Sequence, residues 1–289
     1  MTSSARLGAV SIGNTPFQLP FAINVAVYVA LVAVCVGIVA LLVAHTRARA
    51  GTGGGSGSIG RWTTQDILVV AIMAVLLEVY DNLIGDQFVT PVIEAIPFAH
   101  QLAANDLPYM FLLMTGVAII RKPGAATAMV FLNFLLMQLL YGGSESSPLY
   151  WPYGLLQGVF IDLYILARRG RVFSRSGAPA VMDGLVMGAL RAFPATAAQS
   201  AIIMPLLSGV TKTGAAILIY VVLNTIGNGL GAGITAPLAI RVARTVDPAA
   251  GYEDDEPDTA PDTAPDTGPD AGAGVAAGPD RTARGEVAR

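Results

Sequence analysis

Apolar residues run along this chain in long, nearly unbroken blocks, parted by short basic or polar turns. About 20 such residues, rising about 1.5 Å each, cross a hydrocarbon core, so each block is read as a membrane-spanning helix. The first block, Leu19 to Ala44, is too long for a signal-peptide core of about 7–15 residues and is read as an accessory span within residues 19–45. The glycine-rich run GTGGGSGSIG follows inside a flexible linker, residues 46–63. Six further blocks are expected at residues 64–84, 106–120, 125–141, 150–171, 180–207 and 214–240, together forming a core over residues 64–245. An irregular stretch carrying Pro91, Pro97 and His100 separates the first two, and Pro194 predicts a kink in the fifth.

The pattern therefore predicts an all-α integral membrane protein: a six-helix bundle plus one N-terminal accessory transmembrane helix. Composition agrees, with 54% hydrophobic and only 13% charged residues, against about 25% charged in soluble domains. One cysteine, Cys35, excludes an internal disulfide framework, and two scattered histidines argue against a zinc site. Nothing in the charge pattern points to nucleic acid, and no cofactor motif is present. Residues 246–289 repeat PDTA-like tetrapeptides with little to bury, which predicts a disordered acidic tail.

Charge fixes an expected orientation. Arg47, Arg49 and Arg61, then Arg121 and Lys122, then Arg168, Arg169, Arg171 and Arg175, then Arg241 and Arg244 fall at alternate crossings. The positive-inside rule puts these turns and the C-terminus in the cytoplasm, and residues 1–18 outside, in a multi-pass plasma-membrane protein.

Orientation converts position to depth. Glu78 lies roughly 20 Å and Asp81 roughly 25 Å from the cytoplasmic entry of the first core helix. Tyr109, Gln138, Tyr141, Trp151, Tyr153, Gln157 and Asn224 join them in the outer half, from the other core helices. Aromatics at span ends also suit an interfacial belt, and buried amides also hold helices together. A cluster of acceptors, amides and rings open to the outside suits a small polar ring compound. Asp162 follows Gln157 by five residues, so the two point about 140° apart. A structural ion pair between Asp162 and Arg191 is expected, because either charge alone in lipid is costly.

No P-loop motif occurs, nor H-E-x-x-H or G-x-S-x-G, so the chain is not expected to be an enzyme. Two motifs carry a resemblance: I-R-K-P-G-A-A at Ile120 to Ala126, and Q-G-x-x-x-D-x-x-x-L-A-x-R at Gln157 to Arg169. With the six-span core they resemble the S component of an energy-coupling-factor (ECF) vitamin importer, nearest the YkoE-like group associated with thiamine or its hydroxymethylpyrimidine precursor. Related sequences are often labelled cobalt ABC transporter permeases. The resemblance implies a substrate-binding subunit that works with an EcfT-like transmembrane coupling protein and two ABC ATPases, which hydrolyse the ATP. The residues leave two other readings open: a stand-alone ion-coupled transporter using Glu78, Asp81 or Asp162, and a membrane scaffold.

Overall fold

The computed structural model describes residues 16–50, 62–96, 99, 101–140 and 147–246. Tyr141, the glycine-rich run and the acidic tail lie outside the described residues, as do Pro97 and His100. The elements are α1 Phe21–Ala50, α2 Thr64–Glu78, α3 Thr90–Glu94, α4 Leu107–Ile120, α5 Ala125–Leu140, α6 Trp151–Ala167, α7 Ala178–Ala198, α8 Met204–Ser208 and α9 Gly214–Val246. No strand occurs among the described residues beyond an isolated bridge between Pro16 and Thr213. Phe21–Thr46, Thr64–Glu94 and Gly214–Val246 are long and apolar enough to cross a membrane by length and composition.

The surface is inverted relative to a water-soluble protein. Ile67, Leu68, Ile72 and Val75 stand exposed along α2, while Glu78, Gln157, Asp162 and Arg191 are buried. Lipid is as apolar as these aliphatic side chains, and polar groups must find partners inside the bundle. This is an all-α membrane protein.

Two departures from the sequence reading concern helix ends. The first core helix does not stop near residue 84. It continues as a π-helical stretch, Val79–Val89, into α3, whose second residue is Pro91; as at Pro205, a proline follows directly on a widened ladder. Pro194 sits inside α-helix, and a π-helical stretch that the sequence did not predict follows at Gln199–Ile203. Pro205 lies just beyond that stretch, and its missing N–H explains the widened ladder.

Small residues set the tightest packing. Gly184 and Gly188 on α7 face Ala232 and Asn228 on α9; a Cβ at Gly184 would sit 2.5 Å from the Ala232 carbonyl oxygen. Gly229 and Gly233 return the contact against Leu185 and Val181. Both helices thus carry a G-x-x-x-G pair, which lets backbones approach closely.

At the basic end the two motifs meet. Gly124 adopts φ +96°, a conformation open to glycine, and turns the chain into α5. Asp162 of α6 accepts the α5 backbone N–H groups of Ala126 at 3.1 Å and Thr127 at 2.7 Å, and the Thr127 hydroxyl at 2.5 Å. A carboxylate from one helix therefore caps the N-terminus of another. Gly158 makes this possible, since a Cβ there would lie 2.5 Å from the Thr127 Cα. Nearby, Lys122 pairs at 2.5 Å with Asp66, which closes a capping box with Thr63 at the start of α2.

Helix α1 presents Tyr28, Cys35 and Leu42, seven residues apart, toward the core. Asn24 donates to the Ile202 carbonyl at 3.4 Å, and Tyr28 donates to that of Leu149 at 2.8 Å. Toward its other end α1 stands off α5 and leaves an apolar recess of ≈ 430 Å³ lined by Val39, Leu42, Pro123 and Phe131. Among the described residues no charged side chain lines it, which suits lipid rather than a polar solute.

Candidate functional site

Arg191 is the centre of the buried polar network. Gly188 lies three residues before it on α7 and draws α9 close enough for Asn228 to reach the guanidinium. Arg191 Nε donates to Gln157 Oε1 at 2.9 Å, and Nη1 donates to Asp106 Oδ2 at 2.9 Å. Nη1 also donates to Asn228 Oδ1 and lies 3.4 Å from the Met110 sulfur. The guanidinium stacks 4.4 Å above the Tyr109 ring. Asn228 in turn donates to Asn224 Oδ1 at 3.1 Å, one helical turn away on α9. A desolvated guanidinium needs this many partners to remain charged.

This overturns the expected Asp162–Arg191 pair. Asp162 is satisfied by the α5 N-terminus, and Arg191 reaches instead to Asp106 at the start of α4. The 140° offset between Gln157 and Asp162 is what separates them: one faces α7, the other α5. Each charge took the nearer partner that left no group stranded.

A small polar cavity of ≈ 90 Å³ opens beside the network. Arg191, Asp106, Gln157 and Asn224 line it, with the rings of Tyr153 and Tyr220 and the side chains of Asn105 and Thr196. The bonds above use Nε and Nη1 of Arg191; Nη2 carries none of them. Gln157 uses its oxygen and keeps its amide N–H groups. Asp106 retains 28% side-chain exposure, so its carboxylate is open to a guest. The cavity thus sets donors beside an acceptor between two phenol rings.

The segment before α4 holds Asp106 in place. Leu102 lies with its backbone directly on Gly227 of α9, and Ala103 adopts φ +50° to turn the chain. Asp106 N–H then donates to the Ala103 carbonyl at 2.9 Å, while the Tyr80 hydroxyl donates to the Asn105 carbonyl.

Of the residues singled out in the sequence, Tyr153, Gln157 and Asn224 line this cavity, and Tyr109 lies beneath Arg191. Glu78 does not line it. Its two oxygens accept from Asn82 and Asn133, each at 2.7 Å, joining α2 to α5. Asp81 is exposed on the π-helical stretch. Trp151 packs edge-on against Phe131 with centroids 5.7 Å apart, and Gln138 is half-buried with its Nε2 unpartnered among the described residues. Tyr141 lies outside the described residues. Asp106, Arg191 and Asn228 are not among the binding residues that the sequence singles out. The signal available was the i, i+4 pair Asn224 and Asn228 in a glycine-rich span, facing a span with a single mid-helix arginine.

Residues 65–190 match the family of the permease component of ABC-type cobalt transport systems. No curated protein and no solved structure was found to match the chain. The matched segment contains Asp106, Gln157 and Asp162 and ends one residue before Arg191. The similarity supports an ABC-transporter-related membrane protein with a role in transport and an association with ABC ATPases. Among the described residues, no group of three or more His, Cys, Asp or Glu side chains is arranged to hold a metal ion.

Proposed function

We propose that this chain is the membrane-embedded substrate-binding component of an ECF-type ABC importer, and that the cavity beside Arg191 holds its solute. One observation carries the reading: a small polar cavity is lined by a buried guanidinium, with Nη2 outside its protein hydrogen bonds, and by the partly exposed Asp106 carboxylate that the guanidinium pairs with directly. An aminopyrimidine offers the complementary edge, a ring nitrogen to accept from Arg191 or Gln157 and an exocyclic amine to donate to Asp106. Tyr153 and Tyr220 offer faces for the ring.

Size narrows the cargo. A cavity of about 150 Å³ holds benzene, and this one measures ≈ 90 Å³. A single-ring precursor such as hydroxymethylpyrimidine enters with a modest outward shift of Asp106, whereas two-ring thiamine demands far more. Energy would come from partners, an EcfT-like coupling protein and two ABC ATPases, since this sequence has no P-loop. The Arg168–Arg171 end of α6 would lie in the cytoplasm and the cavity would face outward.

Titration calorimetry of the purified chain with hydroxymethylpyrimidine tests the reading. Saturable binding that Arg191→Met weakens about 30-fold or more supports it. No binding to the wild type removes this cargo. The family match favours a second reading, a permease component that handles cobalt. A fixed guanidinium repels a divalent cation, which argues against the ion resting in this cavity. Saturable Co²⁺ binding sensitive to Asp106→Asn would reverse that preference.

A further inference from the structure

The loop between α6 and α7 forms a second concave site, remote in chemistry from the solute cavity. Arg168, Arg169, Arg171 and Arg175 fall within eight residues and line a cleft of ≈ 480 Å³. We propose that this cleft binds the phosphate headgroup of an anionic phospholipid in the leaflet that the basic turns face.

Its shape is built rather than floppy. Helix α6 ends with Arg169 at φ +53° and Gly170 at φ +75°, and the Gly170 N–H returns 2.9 Å to the Ile165 carbonyl. Val172 and Phe173 are fully buried and anchor the loop in the bundle. Asp183 of α7, itself buried, accepts the Phe173 N–H at 2.9 Å and the Tyr164 hydroxyl at 2.7 Å. Arg168 adds a looser contact with Asp183 at 3.6 Å. Among the described residues Asp183 is the carboxylate that lines the cleft, and it is already engaged by three groups.

The chemistry selects the ligand. Guanidinium forks match phosphate oxygens, and a clustered set exceeds what orientation by the positive-inside rule needs. Among the described residues no aromatic ring lines the cleft to stack a nucleobase. Ala167 and Pro179 give one apolar edge, where the headgroup would join its acyl chains. The sequence reads residues 150–171 as a span, and the cleft at its basic end would then lie at headgroup level.

The test reconstitutes the full chain in phosphatidylcholine nanodiscs carrying a minor fraction of phosphatidylglycerol, and counts lipid retained on release by native mass spectrometry. The wild type retains phosphatidylglycerol in preference to phosphatidylcholine. The double variant Arg169→Gln/Arg171→Gln weakens that retention about thirtyfold. Arg241→Gln, an exposed arginine near the end of α9, leaves it unchanged. Melting temperature checks that each variant is folded, and the single variants Arg169→Gln and Arg171→Gln each give an intermediate loss. Equal loss from Arg241→Gln, or full retention by the double variant, overturns the site. Displacement of the lipid by millimolar inorganic phosphate assigns the cleft to a free anion and overturns the lipid assignment.

Discussion

Asp162 and Arg191 are both buried charges on adjacent helices, yet they end in opposite conditions. Asp162 accepts three hydrogen bonds from the first turn of α5, in a joint closed by Gly158. Arg191 spends only part of its donor set and lines a cavity with the rest. Depth alone did not separate them, since both lie well inside the bundle. The useful distinction is whether the protein itself completes the charge's partners. A completed charge is a structural joint; an incomplete one beside a polar void is a place for a guest.

The contrast gives an ordered set of expectations. Asp162→Ala strands three donors, at about 1–3 kcal/mol for each buried group left unsatisfied, and so gives the largest loss of stability, read as loss of folded protein in detergent melting. Arg191→Met lets partly exposed Asp106 reach water but strands the buried acceptors of Gln157 and Asn228, so it costs about 1–3 kcal/mol of stability, and it weakens solute binding by about 2–3 kcal/mol, roughly 30- to 150-fold by calorimetry. Gly158→Ala forces α5 away from α6 and costs about 1–3 kcal/mol of stability, seen in the same melting assay. Gln157→Ala removes one cavity amide and weakens binding by about 1–2 kcal/mol, with an unchanged melting temperature. Glu78→Gln changes binding least, under about twofold, since its carboxylate ties α2 to α5 away from the cavity lining. A large binding loss there would merge the two classes of buried polar group.

Much of the architecture was legible because it is written in local patterns. Apolar blocks gave the helices, with ends near residues 107, 120, 125 and 140 where Pro108, the Arg121-Lys122-Pro123-Gly124 turn and the aromatic edge mark them. The π-helical stretches were not legible, because an i→i+5 ladder has no composition of its own. At the site, Gln157, Tyr153 and Asn224 were found by depth along the membrane. Partner choice was not, since depth says nothing about which face of a helix meets which neighbour. The Asp162–Arg191 expectation failed there. It matched opposite charges and overlooked backbone N–H groups, which Asp162 used instead. The two motifs behind the family resemblance proved to be largely one joint: Pro123-Gly124 turns the chain, Gly158 admits it and Asp162 caps it, while Gln157 alone turns toward the cavity.

The central claim is that the Arg191 cavity takes a solute. The most direct test compares small molecules retained by the purified wild-type chain and by Arg191→Met, identified by mass spectrometry after denaturation. The account predicts one small organic solute in the wild type and its loss from a variant that still melts cooperatively as a folded protein. Identical retention by both proteins, or no solute in either, would contradict it.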